Sequence, residues 1–212
     1  MTAVATVPAS VVMMCGLPAS GKTTTAGRLH AYAGGVLIRS CDIYTDLGIR
    51  LPDWVARTRG FTVDVHEYDQ VRDRAYEEIA RRLKENLPGG GLVILDAVYG
   101  ERAKRDVIYA ICRSYSASLT LMHCRCDDAD EVTRRFDRRF GRESTPEHEA
   151  SDYSIFRDIA RRWEDPSADV DSPTILTIDT LPNPPVIIGP EESLPRFLRD
   201  ALAMVPTRIV RS

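Results

Sequence analysis

The chain has 212 residues, enough for one α/β domain with a full core. Its hydrophobic content of 43% and charged content of 28% are ordinary for a soluble globular protein. A net charge of −3 excludes the overall basic character that marks a binder of nucleic acid or of an anionic membrane.

Met1 to Ser10 lacks the charged start and long apolar core of a signal peptide. No apolar run approaches the ~20 residues of a membrane span, so a cytoplasmic protein without membrane contact is expected. Ser10 to Cys15 is short, apolar and β-prone, and reads as the first strand. Gly16-Leu17-Pro18-Ala19-Ser20-Gly21-Lys22-Thr23 follows and fits the phosphate-binding P-loop pattern. Thr24 to Ala33 reads as a helix ended by Gly34-Gly35, so the octet has the strand–loop–helix setting the motif needs. Val36 to Arg39 is the second strand, and Ser40-Cys41-Asp42 stands where it ends. From Ile43 to Val65 the pattern is irregular, a helical turn plus a loop. His66 to Leu87 has helical spacing and stops at Pro88-Gly89-Gly90-Gly91. Leu92 to Leu95 is a continuous apolar run suited to a central parallel strand, and ends in Asp96. A helix is expected from Glu101 to Tyr115, a strand from Ser118 to His123 and a charged helix from Asp127 to Phe140. Gly141 to His148 is polar. A helix from Ser151 to Trp163 and a last strand from Thr174 to Ile178 follow. Pro182, Pro184 and Pro185 mark a loop, and Glu191 to Val205 reads as a closing helix. Without repeats or a low-complexity linker, residues 1–212 are expected to be one domain: a three-layer P-loop NTPase sandwich with a mainly parallel five-stranded sheet and a helical lid over roughly 127–150.

The five cysteines at 15, 41, 112, 124 and 126 are odd in number and irregular in spacing, which does not suggest a disulfide scaffold. Cys124-Arg125-Cys126 is no C-x-x-C pair, and His123 beside it has no second ligand cluster to complete a metal site.

In the P-loop, Gly16 and Gly21 let the backbone turn and approach a phosphate with no Cβ in the way. The loop's N–H groups, those of Gly16, Ala19, Ser20 and Gly21 to Thr24 (Pro18 has none and helps shape the turn), with the helix N-terminus, then face an anion. Lys22 is placed to neutralise β- and γ-phosphate charge and Thr23 to bind Mg²⁺ through its hydroxyl. Asp96, after an apolar strand, matches a carboxylate that helps hold Mg²⁺, or else starts a turn or caps a helix. Asp42 is a candidate base that takes the proton of an acceptor hydroxyl, or else an N-cap; Ser40 adds a hydrogen bond. Arg135 and Arg139 are four apart on one helical face, and their guanidinium groups suit transferring phosphate oxygens. Charge runs of this kind also serve as solvated faces. Tyr44, Arg50, Trp54 and Arg57 fall in the irregular segment beside Asp42 and are candidate acceptor-binding residues.

The P-loop, Ser40-Cys41-Asp42, Leu95-Asp96-Ala97-Val98, the Arg135/Arg139 pair and Ser151-Asp152-Tyr153 ahead of Trp163-Glu164-Asp165-Pro166 resemble, over residues 10 to 180, the small P-loop kinases related to polynucleotide kinase, zeta toxin and chloramphenicol phosphotransferase. The resemblance implies that Asp42 is the catalytic aspartate and that Arg135 and Arg139 are lid arginines. Polynucleotide kinases tend to carry an arginine shortly after that aspartate, where this chain has Ile43-Tyr44-Thr45. The expected function is therefore transfer of the γ-phosphoryl of ATP, with Mg²⁺, to a hydroxyl of a small-molecule acceptor. A polynucleotide 5′-hydroxyl kinase and a non-kinase P-loop NTPase are the alternatives. Asparagine occurs only at 86 and 183, neither in the setting of a guanine reader.

Overall fold

The first strand decides the architecture. β1 (Ala9–Cys15) alternates between two cores. Val11, Met13 and Cys15 join one cluster with Ile79, Leu83 and Ile108, whereas Val12 and Met14 join the other with Ala26 and Leu29. Successive side chains of a strand point to opposite faces, so a strand apolar throughout must be covered on both sides. The computed structural model describes residues 8–48, 65–140, 156–170, 173–182, 184–189, 196, 198–200 and 208–210, with the backbone alone for 65–68, 137, 139, 140 and 208–210.

β2 (Val36–Arg39), β3 (Gly91–Asp96), β4 (Ser118–Arg125), β5 (Thr174–Asp179), β6 (Val186–Ile188) and β7 (Arg208–Val210) complete one sheet in the order β2-β3-β1-β4-β5-β6-β7. The first five in that order run parallel, β6 is antiparallel to β5, and β7 is parallel to β6. The expected parallel five are present, but among the described residues the sheet has seven strands rather than five. β6 is three residues long and follows Pro184 and Pro185, so no periodicity of its own marks it. Pairing with Thr177 to Asp179 makes it a strand.

α1 (Lys22–Ala33) starts two residues before the expected Thr24 because Gly21 is its N-cap. α2 (Ser40–Asp46) begins directly at the end of β2, so Ser40 to Asp42 form a first helical turn. The N-cap there is Arg39, not Asp42. α3 (Val65–Asn86), α4 (Arg102–Ser114) and α5 (Ala129–Phe140) lie close to the expected spans, and residues 156–161 are helical. Ile79 and Leu83 of α3 and Ile108 and Cys112 of α4 cover one face of the sheet, and Ala26 and Leu29 of α1 the other. Each large aliphatic side chain buried this way contributes about 1.5–3 kcal/mol. Residues 196 and 198–200 of the expected closing helix are helical. Among the described residues no helix is long and apolar enough to cross a membrane.

This order sets the carboxyl ends of β2, β3, β1, β4 and β5 side by side, where open α/β sheets carry their sites.

Candidate active site

The loop from β1 to α1 is held tightly against its neighbours. Gly16 (φ 151°) passes so close to the end of β4 that a Cβ would lie 2.3 Å from Cys124 O and 2.6 Å from Ser20 Oγ. Its N–H donates to Val98 O at 3.0 Å, which ties the loop to the segment after β3. Ala19 (φ 61°) and Gly21 (φ 90°) turn the backbone into the helix, and Ser20 N–H donates to Leu17 O at 3.1 Å. Ser20 is 3% exposed, and its Oγ has no hydrogen-bond partner among the described residues. An orphaned hydroxyl beside a glycine-lined cradle fits an anionic oxygen. Lys22 is 8% exposed and bends back over the loop, its Nζ donating to Leu17 O at 2.7 Å. Thr23 and Thr24 are exposed on the first turn of α1.

Asp96 ends β3 and is 3% exposed. It stands in register with Met14 of β1 and with Arg39 of β2. Arg39, which the sequence reading overlooks, donates from Nε to Asp42 Oδ2 at 2.8 Å. The i, i+3 spacing of the two was the available signal. The Asp42 hydrogen bond and charge raise the Arg39 pKa. Ser40 is half-buried at the start of α2. Tyr44 is partly buried and packs against the core on the α3 side. Arg50, Trp54 and Arg57 lie outside the described residues, as does the side chain of Arg139.

Arg135 reaches the P-loop from α5. Its Nη1 donates to Ala19 O at 3.1 Å and to Thr180 Oγ1 at 2.8 Å, its Nη2 to Thr180 O at 2.6 Å, and its Nε to Glu131 Oε1 at 2.9 Å. The described part of the expected lid is anchored: Val132 and Phe136 are buried, and the Phe136 ring meets Phe156 edge-on at 6.3 Å.

Behind the loop lies a buried polar knot. Arg105 donates to both oxygens of Asp169 at 2.6 and 2.7 Å and to Tyr99 O at 2.9 Å, and the Tyr109 hydroxyl donates to Asp169 Oδ2 at 2.8 Å. The Cys15 thiol also donates to Tyr99 O. Burial pushes the Cys15, Cys112 and Cys124 thiols up to about 12, which keeps them protonated and inert. Among the described residues no cluster of three or more His, Cys, Asp or Glu forms a metal cage. His123 instead stacks on Trp163, with ring centroids 5.4 Å apart. Oxygen donors from Thr23 and Asp96 suit Mg²⁺, which usually takes one or two protein ligands and completes its shell with phosphate and water.

A family model described as an AAA domain matches residues 11–155. The signal recognition particle receptor FtsY of Rickettsia bellii (strain RML369-C) is 29% identical over 83 residues, 37% of this chain and 27% of that protein, so the chain spans little more than a quarter of that relative's length. The structure of a sugar kinase from Janibacter sp. HTCC2649 aligns over 94% of this chain and 97% of that one at 18% identity, with a TM-score of 0.57. Chaetomium thermophilum Kti12, solved in complex with ADP-AlF3, aligns over 80% of this chain and 88% of its own at 20% identity, with a TM-score of 0.57. These two likenesses establish a shared P-loop kinase-like fold.

Proposed function

Since the chain belongs to the P-loop family described as an AAA domain, we propose that it is an ATP-dependent phosphotransferase that moves the γ-phosphoryl group to a hydroxyl of a small-molecule acceptor. The observation that carries this reading is the placement of Lys22 in the helix after β1, Asp96 at the end of β3 and Asp42 in the first turn after β2, three adjacent strands of one sheet. A nucleotide-binding loop alone is common to switches and motors. A second carboxylate, half-buried where Asp96 is buried and one strand beyond it, is what a transferase needs to handle an acceptor.

In this reading the P-loop N–H groups and the Ser20 hydroxyl hold the β- and γ-phosphates, and the Lys22 ammonium offsets the charge that builds up on the bridging and transferring oxygens. Mg²⁺, held by Thr23 and, through water, by Asp96, would supply further charge neutralisation. Asp42 accepts the proton of the acceptor hydroxyl as its oxygen bonds to the γ-phosphorus, and the bond from that phosphorus to the β-bridging oxygen breaks to leave ADP. Arg39 donates to Asp42 Oδ2 and orients the carboxylate, and Oδ1, which takes only the Cys41 thiol at 3.8 Å among the described residues, is the oxygen proposed to meet the acceptor. Arg139, one turn beyond Arg135, is proposed to meet the transferring phosphoryl, and Ser40, Tyr44, Arg50, Trp54 and Arg57 to line the acceptor side.

The test is a screen of hydroxyl compounds and 5′-hydroxyl oligonucleotides for ATP-dependent mass gain, run with wild type and Asp42→Asn. The variant is expected to bind ATP normally and to lose most turnover, of the order of 10²–10⁴-fold. Full turnover by the variant removes Asp42 from the chemistry. Product only with oligonucleotides replaces the small acceptor with a nucleic-acid end.

A further inference from the structure

The residue after β5 carries a hydroxyl with three polar neighbours. Thr180 is 9% exposed. Its Oγ1 lies 3.0 Å from Ser20 O in the P-loop, 3.0 Å from Arg125 O at the end of β4, and 2.8 Å from Arg135 Nη1 on α5. The guanidinium donates to the oxygen, and the single hydroxyl proton serves the two carbonyls. Its backbone is fixed as well: the N–H donates to Arg125 O at 2.9 Å and the carbonyl accepts from Arg135 Nη2 at 2.6 Å. The methyl faces Gly21, where a Cβ would come within 2.9 Å of it. Arg135 meanwhile holds Ala19 O. Three successive residues before Lys22, namely Ala19, Ser20 and Gly21, are therefore each touched by Thr180 or Arg135.

The consequence follows from peptide geometry. In a trans peptide the C=O and the next N–H point in opposite directions. Holding Ser20 O on Thr180 therefore fixes the Gly21 N–H on the far side of that peptide. Holding Ala19 O stabilises a non-glycine residue at positive φ, a strained conformation that persists only where its surroundings enforce it.

We propose that Thr180 is a positioning residue: with Arg135 it forms a latch that sets the shape of the P-loop and joins it to α5. The transfer step it serves rests on the function proposed above. Its immediate effect, on nucleotide affinity, does not require an acceptor.

The latch makes a distinction that direct phosphate contact does not. A residue acting through loop shape affects ADP and ATP alike, whereas a ligand of the γ-phosphate affects ATP alone. Calorimetric Kd values for ADP and ATP are to be measured for wild type, Thr180→Val, Thr180→Ser, Arg135→Met and the double variant Thr180→Val/Arg135→Met. Thr180→Val keeps the shape and removes the hydroxyl, and is expected to weaken both nucleotides by roughly tenfold, the scale of a buried hydrogen bond lost with its partners left unpaired. Thr180→Ser, which keeps the hydroxyl, is expected to stay within about threefold of wild type. Arg135→Met should weaken ADP as much as ATP, and the double variant should fall well short of the product of the two single effects. The proposal is overturned if Thr180→Val binds ADP like wild type, if Thr180→Ser is as impaired as Thr180→Val, or if Arg135→Met weakens ATP only. Should Thr180→Val not fold, the ADP affinity of Arg135→Met decides alone. A wild-type chain that binds neither nucleotide overturns the P-loop reading itself, whereas normal wild-type binding with unaffected variants overturns only the latch.

Discussion

The Arg105–Asp169 pair is expected to hold both the fold and the loop behind the P-loop. Their side chains are 0% and 2% exposed, and the two hydrogen bonds between them are bidentate. Asp169→Asn nearly preserves volume but leaves the guanidinium buried without a counter-charge. Breaking a buried pair in this way costs about 3–5 kcal/mol. At roughly 2–4 °C per kcal/mol for a chain of this length, the melting temperature should fall by about 6–20 °C. The triple variant Arg105→Met/Tyr109→Phe/Asp169→Leu removes the charges together with the Tyr109 hydroxyl that would otherwise lose its acceptor, and Tyr99 O keeps the Cys15 thiol. It is expected to return within about 2 kcal/mol of wild type, because an apolar replacement of a buried ion pair is often neutral or better. Urea unfolding followed by circular dichroism, with the m-value checked for constancy, measures both. Burial raises the Asp169 pKa, but the Arg105 and Tyr109 hydrogen bonds outweigh it and hold the carboxyl below its usual range. A depressed folded pKa gives stability that is complete above the unfolded value, about 3.9, and is lost as pH falls through the lower folded one. The gap between wild type and Asp169→Asn should accordingly close on strong acidification. A loss below about 1 kcal/mol at neutral pH would place the pair in the range of solvated surface bridges and refute the reasoning.

Gly16→Ala should abolish nucleotide binding while the sheet still forms, since the new Cβ would stand 2.3 Å from Cys124 O, a backbone atom that cannot move aside; ADP calorimetry with a circular dichroism control reads this directly, and tight binding would contradict the cradle. His123 is pushed below its ordinary pKa by burial, with the Asp165 charge opposing. The folded state therefore binds fewer protons than the unfolded chain, stability is complete above the unfolded value of about 6.5 and falls as pH drops through the folded one, and His123→Gln should flatten that part of a melting temperature–pH curve. An unchanged slope would remove His123 from the pH dependence.

The parts of this molecule legible in its sequence are those set by local pattern. The P-loop octet has fixed spacing, and the runs Val11 to Cys15 and Leu92 to Leu95 are apolar because both faces of a central strand are covered. Asp42 and Asp96 stand out in the sequence by position alone, one in the first turn after β2 and the other at the end of the apolar run of β3. β6 does not, since three residues after two prolines have no period and become a strand only against Thr177 to Asp179. Ile43 to Val65, which holds the proposed acceptor residues Arg50, Trp54 and Arg57, lies outside the described residues from 49 to 64.

Charge shows the same division between local pattern and distant contact. Arg105 shares a helical stripe with Ile108 and Cys112, at i, i+3 and i+7, so its place on the apolar face of α4 was available in the spacing. A charged residue on such a stripe needs a buried partner. That the partner is Asp169, 64 residues away, is a property of the fold alone. Arg135 illustrates the converse. Its spacing to Arg139 groups two guanidiniums on one face, as phosphate handling requires, but spacing along a helix does not say what the face meets. It meets Ala19, 116 residues earlier, and Thr180, 45 residues later. Thr180 itself has no pattern at all: one polar residue after β5 is unremarkable until the ends of β4 and β5, the P-loop and α5 are drawn together around its hydroxyl. Residues that position others are found where chain ends of several elements meet, and only the topology says which those are.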